Sequence, residues 1–354
     1  MNILLTLDFP PETGGIQRYL HDIVMHTFSE KDLVLTGTGG SSRYTGDAGY
    51  PCRVRRISFP GERWNKKIIL LPALWHLVRC LAGRKTDIIL AGNIYAALAP
   101  WLLSLVLPVR YQVFCYGTEL LPFKRQSMRT RLWRAVLGRA EMAYYLTGTT
   151  RQLLSHGYHC VRSTQRVPKI DLPPFSLSEK EGGKEQVRLL SVGRLVPHKG
   201  HKQLIDAVAG LAADTSWHLD IVGTGPEEGR LREQVAIRSL ENRVAIRTDV
   251  SDKELSLLYR KADIFILPSI ATRTGIEGFG IVLLEAMAYG AAIVASRSGG
   301  IEEVVDGNEA YAKLVSPGDV QALSEAIKAL TCNEKMRMRM IHEARVFLEN
   351  RYVW

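Results

Sequence analysis

The stretch Glu277-Gly-Phe-Gly-Ile-Val-Leu-Leu-Glu285 sets two carboxylates around a glycine-rich turn at the start of an apolar run. Glycines ahead of a helix let the backbone approach a ligand. The first N–H groups and the helix dipole then attract an anion such as phosphate. The apolar run predicts a helix from about Ile281 to Tyr289 that stops at Gly290, with Glu277 in the turn and Glu285 about one turn in. A carboxylate accepts two hydrogen bonds, which suits the vicinal hydroxyls of a sugar or ribose. The plainer reading is a helix whose acidic residues complement its dipole.

Three further turns have the same character. In Ser191–Val208 a strand ends at Gly193, a short loop carries Arg194 and Lys199, and a helix begins near Lys202. Two cations at the carboxyl end of a strand suit a diphosphate; otherwise the loop is a solvated basic one. His198 and His201 lie three apart with no carboxylate or cysteine near them in sequence, so no metal site is expected. In Ile221–Leu231 a strand runs into Gly223-Thr-Gly225, but Glu228 holds the place of the last glycine of a dinucleotide fingerprint, and Gly229 follows one further on. Hydride transfer is therefore a poor fit. In Pro10–Leu20 another glycine turn, with Gly15, precedes a helix and could admit a phosphate-bearing ligand.

The elements that would position these loops alternate along the chain. Strand-like runs are expected at 2–7, 32–35, 53–58, 87–92, 110–115 and 142–147, and again at 187–193, 217–223, 243–247, 263–268 and 291–296. Helix-like segments lie between several strands of the first set and after each of the second. This alternation predicts parallel sheets covered by helices. Residues 172–186 are rich in Pro, Ser, Gly and charge, and read as a linker. The expected architecture is α/β, two Rossmann-like doubly wound domains facing across a cleft, at 1–171 and 187–335. Ligands of such sheets bind at the carboxyl ends of the strands.

Composition narrows the alternatives. The chain has 354 residues, 46% hydrophobic and 23% charged, ordinary values for a globular protein. Five scattered cysteines without a CxxC fit neither a disulfide framework nor a zinc site, and suit a reducing cytoplasm. The N-terminus lacks the basic region and long apolar core of a signal peptide. The apolar stretch 94–109 contains Pro100 and Pro108 and is short for a membrane span. The net charge of +10 is uneven: residues 1–171 hold 23 Lys and Arg against 11 Asp and Glu. A basic patch can meet nucleic acid, an anionic membrane or an acidic substrate. No nucleic-acid-binding motif accompanies it, and no nucleic-acid partner is expected.

Taken in order, GGIQRYL, VGRLVPHKG, VGTGPEEGRL, VSDKELSLLYRKADIFILPS, EGFGIVLLEAMAYG and SGGIEEVVDG resemble the retaining glycosyltransferases of GT-B type that carry a Glu-x7-Glu motif (the family-four-like group), nearly end to end. The resemblance implies that Glu277 contacts the donor sugar and Glu285 the ribose. Phe279 and Gly280 would offer backbone amides to sugar and diphosphate, Arg194 and Lys199 would bind the diphosphate, and Gly15 would lie under it. The implied catalytic set is Arg194, Lys199 and Glu277. The implied donor-binding set is Gly15, Gly193, Gly223, Gly225, Gly278, Phe279, Gly280, Ile281 and Glu285. Tyr116, Gly117 and Glu119 of FCYGTEL fall on the sugar or acceptor side, with Tyr116 where the family commonly has histidine. Glu302 stands where proline is common. Residues 336–354 would form the family's last helix, packing back toward the N-terminal domain.

The implied reaction is metal-independent transfer with retention, the donor a substrate and GDP or UDP a product, with no cofactor. The residues before Glu277 in LPSIATRTGIEGFG are reminiscent of mannosyltransferases acting on phosphatidylinositol mannosides, which makes GDP-mannose the first donor expectation. UDP-glucosyl, galactosyl or N-acetylglucosaminyl transfer is the alternative, and a nucleotide-sugar epimerase of the same fold a further one. The acceptor would be a lipid-linked intermediate or glycan in cell-envelope polysaccharide or glycolipid synthesis.

Two basic segments of the N-terminal half extend this reading. Lys124–Glu141 sets Lys124, Arg125, Arg129, Arg131, Arg134 and Arg139 around Met128, Leu132, Trp133, Val136 and Leu137. Arg63–Lys85 brackets an apolar helix with cations and tryptophans. Both suit an anionic leaflet, and a peripheral place on the cytoplasmic face of the membrane is expected. The competing reading packs both apolar faces on the sheet.

Overall fold

The computed structural model describes the chain except residues 38–44, 58–69, 84–85, 122–127, 159–161, 178–179, 181–185, 212–215 and 274. It divides into two compact units, Met1–Pro168 and Lys169–Trp354. Ile170 begins the second unit by pairing with Val353, its N–H donating to Tyr352 O at 2.8 Å. The start and end of that unit are thereby tied together.

The first unit runs β1 (Asn2–Leu5), α1 (Gly15–Thr27), β2 (Leu33–Gly37), β3 (Arg53–Ile57), α2 (Leu70–Gly83), β4 (Ile88–Ala91), α3 (Leu98–Ser104), β5 (Tyr111–Cys115), α4 (Met128–Arg139), β6 (Met142–Tyr145), α5 (Gly148–Gln152) and β7 (Ser163–Gln165). Its strands are all parallel, in the order β3-β2-β1-β4-β5-β6-β7. The second unit runs β8 (Val187–Val192), α6 (His201–Ala209), β9 (Trp217–Val222), α7 (Glu228–Ile237), β10 (Val244–Arg247), α8 (Asp252–Lys261), β11 (Ile264–Leu267), α9 (Ile281–Ala288), β12 (Ala292–Ser296), α10 (Ile301–Val304), β13 (Lys313–Val315), α11 (Val320–Cys332) and α12 (Glu334–Arg351). Its parallel order is β10-β9-β8-β11-β12-β13.

Both orders reverse once, between β1 and β4 and between β8 and β11. At such a switch point neighbouring loops diverge and leave room for a ligand at the strands' carboxyl ends. The central strands are apolar because helices cover them: Ile3, Ile89 and Val113 are fully buried in the first core, and Leu219, Ile264 and Val294 in the second. Helix α12 packs on α9, α11 and β12 of its own unit.

The helix within Lys124–Glu141 has its apolar face turned inward. Trp133, Val136 and Leu137 are buried in the first core, while Met128 is 87% exposed. The pattern that suited a leaflet serves the sheet, because both demand the same apolar stripe. Lys124 and Arg125 lie outside the described residues. In the second basic segment, Ala73 and Leu77 of α2 are buried, whereas Trp75 and Val78 are exposed, with the Arg79 guanidinium over the Trp75 ring at 4.6 Å.

Candidate active site

The loop after β8 is built on backbone contact. Gly193 N–H donates to Val222 O and Leu195 N–H to Thr224 O, at 2.9 and 2.8 Å. A Cβ on Gly223 (φ +151°) would stand 1.9 Å from Gly193 O, and one on Gly225 would stand 2.3 Å from Leu195 O. These two glycines let the loops after β8 and β9 lie against each other. The stem of Lys199 crosses Gly193, where an added Cβ would meet Lys199 Cδ at 3.4 Å. Arg194 is exposed on the same loop.

From there Lys199 reaches the loop after β11. Its Nζ donates to Glu277 Oε2 at 2.5 Å, and Ser269 Oγ donates to the same oxygen at 3.0 Å. Both charged side chains are nearly enclosed, 13% and 10% exposed. Burial is the largest influence on Glu277 and pushes its pKa up. The Lys199 charge and the hydrogen bonds from Lys199 and Ser269 together outweigh it, and the carboxyl ends below its ordinary range. The Glu277 carbonyl accepts from Gly300 N–H at 2.9 Å, and a Cβ on Gly299 (φ +61°) would stand 2.0 Å from that carbonyl. The loop after β12 thus holds the backbone of Glu277 from behind.

Two histidines flank this pair. His201 is buried at the start of α6, with Nδ1 3.4 Å from Ser191 Oγ. Burial, then the nearby Lys199 charge, lowers its pKa to about 4, so the ring is neutral under the cationic loop. His198 is also lowered, by burial first and then Lys199, against the opposing pull of Glu277. Its ring rests on Gly275, where a Cβ would come within 2.3 Å of Nδ1.

The glycine turn leads into α9 as the spacing predicts, with Ile281 first in the helix and Gly290 two residues beyond its last residue, Ala288. Gly280 caps the helix in the left-handed region (φ +84°) and supplies no side-chain oxygen to its N–H groups. Phe279 is buried and Gly278 half-buried. Glu285 takes a partner of its own, accepting from Tyr259 Oη at 2.7 Å. Tyr259 is buried on α8 and stacked on Tyr289, centroids 5.8 Å apart. Burial, then Glu285, keeps that phenol protonated. The two glutamates of the motif therefore have separate surroundings.

In the first unit, Gly15 is exposed as the first residue of α1. Tyr116 follows β5 and is 6% exposed; among the described residues its hydroxyl has no hydrogen-bond partner. Burial, above all, keeps that hydroxyl protonated at neutral pH, so it is a donor and not a base. Gly117 (φ +114°) turns the chain so that Glu119 Oε1 accepts the Tyr116 N–H at 2.6 Å. Burial raises the Glu119 pKa against three backbone N–H bonds that lower it. Sequence reasoning missed the residues at the switch point itself. Asn93 Nδ2 donates to Asp8 Oδ2 at 2.6 Å, both side chains buried at the carboxyl ends of β4 and β1. A polar residue directly after each of the expected spans 2–7 and 87–92 was the available signal.

Comparisons with known proteins agree with this architecture. Residues 176–347 match the family Glycosyl transferases group 1. The chain is 29% identical over 379 aligned positions to the GDP-mannose-dependent monoacylated alpha-(1-6)-phosphatidylinositol monomannoside mannosyltransferase of Corynebacterium glutamicum, covering 99% of this chain and 94% of that protein. It is 26% identical to the GDP-mannose-dependent alpha-(1-6)-phosphatidylinositol monomannoside mannosyltransferase of Mycolicibacterium smegmatis, with the same coverage. Among solved structures, sucrose-phosphate synthase of Thermosynechococcus elongatus superposes with a TM-score of 0.84 at 18% identity, over 100% of this chain and 95% of that one. HepE of Anabaena in complex with UDP-glucose does so at 0.80 and 20% identity, over 100% and 96%. The fold is GT-B. The chain carries a Glycosyl transferases group 1 domain, and its relatives of nearly full length include mannosyltransferases.

Proposed function

We propose that the protein is a metal-independent, retaining hexosyltransferase that moves mannose from GDP-mannose to a lipid-linked acceptor of envelope glycan or glycolipid synthesis. The observation that carries this reading is the Lys199–Glu277–Ser269 cluster at the β8/β11 switch point, with Glu277 three residues before Gly280, the cap of α9 that offers no side-chain oxygen. Breaking a sugar–phosphate bond leaves negative charge on the diphosphate. Arg194, Lys199 and the α9 N–H groups would hold that charge, Lys199 from a nearly enclosed position where its charge is worth more than in bulk water. Glu277 has one oxygen engaged by both Lys199 and Ser269. A carboxylate so committed suits gripping sugar hydroxyls rather than attacking the anomeric carbon. Retention would then follow from attack on the face the diphosphate leaves, with a diphosphate oxygen taking the acceptor proton. Glu285, beside Tyr259, would take the ribose. The relatives' names supply the donor choice.

The test is calorimetric titration with GDP and with UDP, repeated on Arg194→Ala/Lys199→Ala. GDP binding that falls roughly 10- to 100-fold for each lost charged contact supports the reading. UDP binding alone transfers it to a UDP-sugar, and no binding of either by folded protein removes it. Anomeric configuration of the product by NMR checks retention. A place at the cytoplasmic face of the membrane belongs to the same proposal. No helix among the described residues is long and apolar enough to cross a membrane. The exposed Trp75, Val78 and Arg79 of α2 and the exposed Leu105–Leu107 after α3 would make the contact. Sedimentation with anionic vesicles at low salt tests it, and absence of binding removes it.

A further inference from the structure

The first unit holds a cavity of about 250 Å³ that the donor chemistry does not use. It lies at the carboxyl ends of β1, β2 and β3, under α2, α3 and α4. Native interiors contain few voids larger than a water molecule, so a space of this size is a feature of the fold. Its lining is mainly apolar, with Leu5, Ile57, Ala99, Leu132 and Trp133 among the residues that face it. Its polar lining is Arg129 and three hydroxyls, those of Thr6, Thr36 and Tyr95, two of which already accept a hydrogen bond: Thr6 Oγ1 from Asp8 N–H at 3.0 Å, and Tyr95 Oη from Arg129 Nη2 at 2.7 Å. The room equals roughly eight water volumes, yet buried water needs two to four polar partners each. A sugar ring would meet the same shortage for its hydroxyls. A hydrocarbon chain would not.

The cavity also adjoins the unit's polar switch point. Thr6 and Leu7 line it and Asp8 follows them; Tyr95 lines it two residues after Asn93. Arg129 carries the only charge among the described lining residues, and its guanidinium lies over the Tyr95 ring at 5.7 Å. We infer that this cavity takes the hydrocarbon chain of an amphiphilic acceptor, with the anionic head beside Arg129 and the polar head group toward Asp8 and Asn93. The inference rests on the transferase reading for the word acceptor, and decides for a lipid over a free glycan.

Full-length protein is titrated with a series of n-alkyl phosphates from hexyl to dodecyl, each below its micelle concentration, following Trp133 fluorescence and heat. Affinity should rise about fourfold per added methylene, then level off when the cavity is full. Ala99→Leu should bring that plateau to shorter chains, and Ala96→Leu does the same if the first variant fails to fold. Arg129→Gln should abolish the preference for an alkyl phosphate over the alkanol of equal length. Geranyl phosphate compared with decyl phosphate tells a prenyl from an acyl source. Inorganic phosphate alone should not bind. Affinity without chain-length dependence, or a plateau unmoved by both alanine variants, overturns the inference. GDP and UDP are titrated in the same samples. Nucleotide binding without alkyl binding sinks the lipid site and leaves the transferase. Alkyl binding that the alanine variants shorten, without nucleotide binding, keeps the site and sinks the transferase.

Discussion

Replacing Lys199 with Met would leave Glu277 charged and nearly enclosed, with Ser269 as its remaining side-chain donor. At the observed 2.5 Å, and an effective dielectric near 20, the gross attraction lost is ~6–7 kcal/mol. Most of that is offset in the native protein by the cost of burying both charges, so the intact pair adds little net stability. Removing one partner is a different matter, because the desolvation cost of the other remains; such changes cost about 3–5 kcal/mol. For a unit the size of Lys169–Trp354 the melting temperature should fall by roughly 6–20 °C. Calorimetry of Lys199→Met against Lys199→Met/Glu277→Gln isolates the cause, since the double variant carries no orphaned charge and should recover at least half of the loss.

The pH dependence gives a second reading of the same variant. In the native protein the Glu277 pKa is depressed, so its stabilising contribution is present above the ordinary 4.5 and lost as pH falls through the folded value. In Lys199→Met burial dominates and the pKa rises above 4.5. The variant should then regain stability, relative to wild type, between pH 7 and 5 as the carboxylate takes up a proton. A melting shift under ~3 °C, a double variant as unstable as the single, or a gap between variant and wild type that widens on acidification would each refute the orphaned-charge argument.

Other consequences are more direct. His201 is held at about 4 against an ordinary 6.5, so the unfolded chain binds a proton that the folded chain refuses; stability should fall by ~3 kcal/mol between pH 6.5 and 4, and His201→Phe should flatten that part of the profile. Gly200→Ala should yield little soluble protein, because φ is +72° and the new Cβ would sit 1.9 Å from Pro268 O. Lys180 is 2% exposed and donates to Arg260 O and Ala262 O at 2.7 and 2.6 Å, closing the end of α8. Lys180→Met should therefore cost about 1–3 kcal/mol in urea unfolding, with the slope unchanged.

Much of the fold was legible because its signals are local. The strands from β1 to β6 and from β8 to β12 are short runs, mainly apolar except for the alternating RVRRI of β3, and each lies within a residue or two of its expected span. The strands missed were β7 and β13, three residues each at the sheet edges, with the polar Ser163–Gln165 among them. Three residues are too short a run to show a period, and β7 is polar besides, whereas the longer edge strands β3 and β10 were read. Lys180 fell in a stretch read as linker from its Pro, Gly and charge. Its burial depends on the end of α8, 80 residues away, and no local signal reports that. The face of α4 was ambiguous for a physical reason: an apolar stripe fits a leaflet and a sheet equally, and only tertiary packing decides.

The candidate site divides along the same line. Lys199 and Glu277 each stood out by type and turn, but their ion pair spans 78 residues and exists because β8 and β11 are neighbours. Asp8 and Asn93 span 85 residues and meet because β1 and β4 are neighbours. Those strand pairs are the same step in two sheets of the same order, the step where the winding reverses. At the reversal the loops part, and a polar side chain there meets its counterpart from the adjacent strand. Each unit therefore places one buried polar pair at the position where its topology leaves a gap, while other polar pairs, such as buried Asp220 with Arg247, lie elsewhere in the sheet. In the second unit that gap holds a charged pair beside a helix N-terminus, suited to a diphosphate and sugar. In the first it holds a carboxylate–amide pair beside an apolar cavity, suited to a head group with a chain behind it. The chemistry of the two gaps differs although their place in the topology is shared, and under the proposed transferase reading that difference fits the division of donor and acceptor between units that the family resemblance implies.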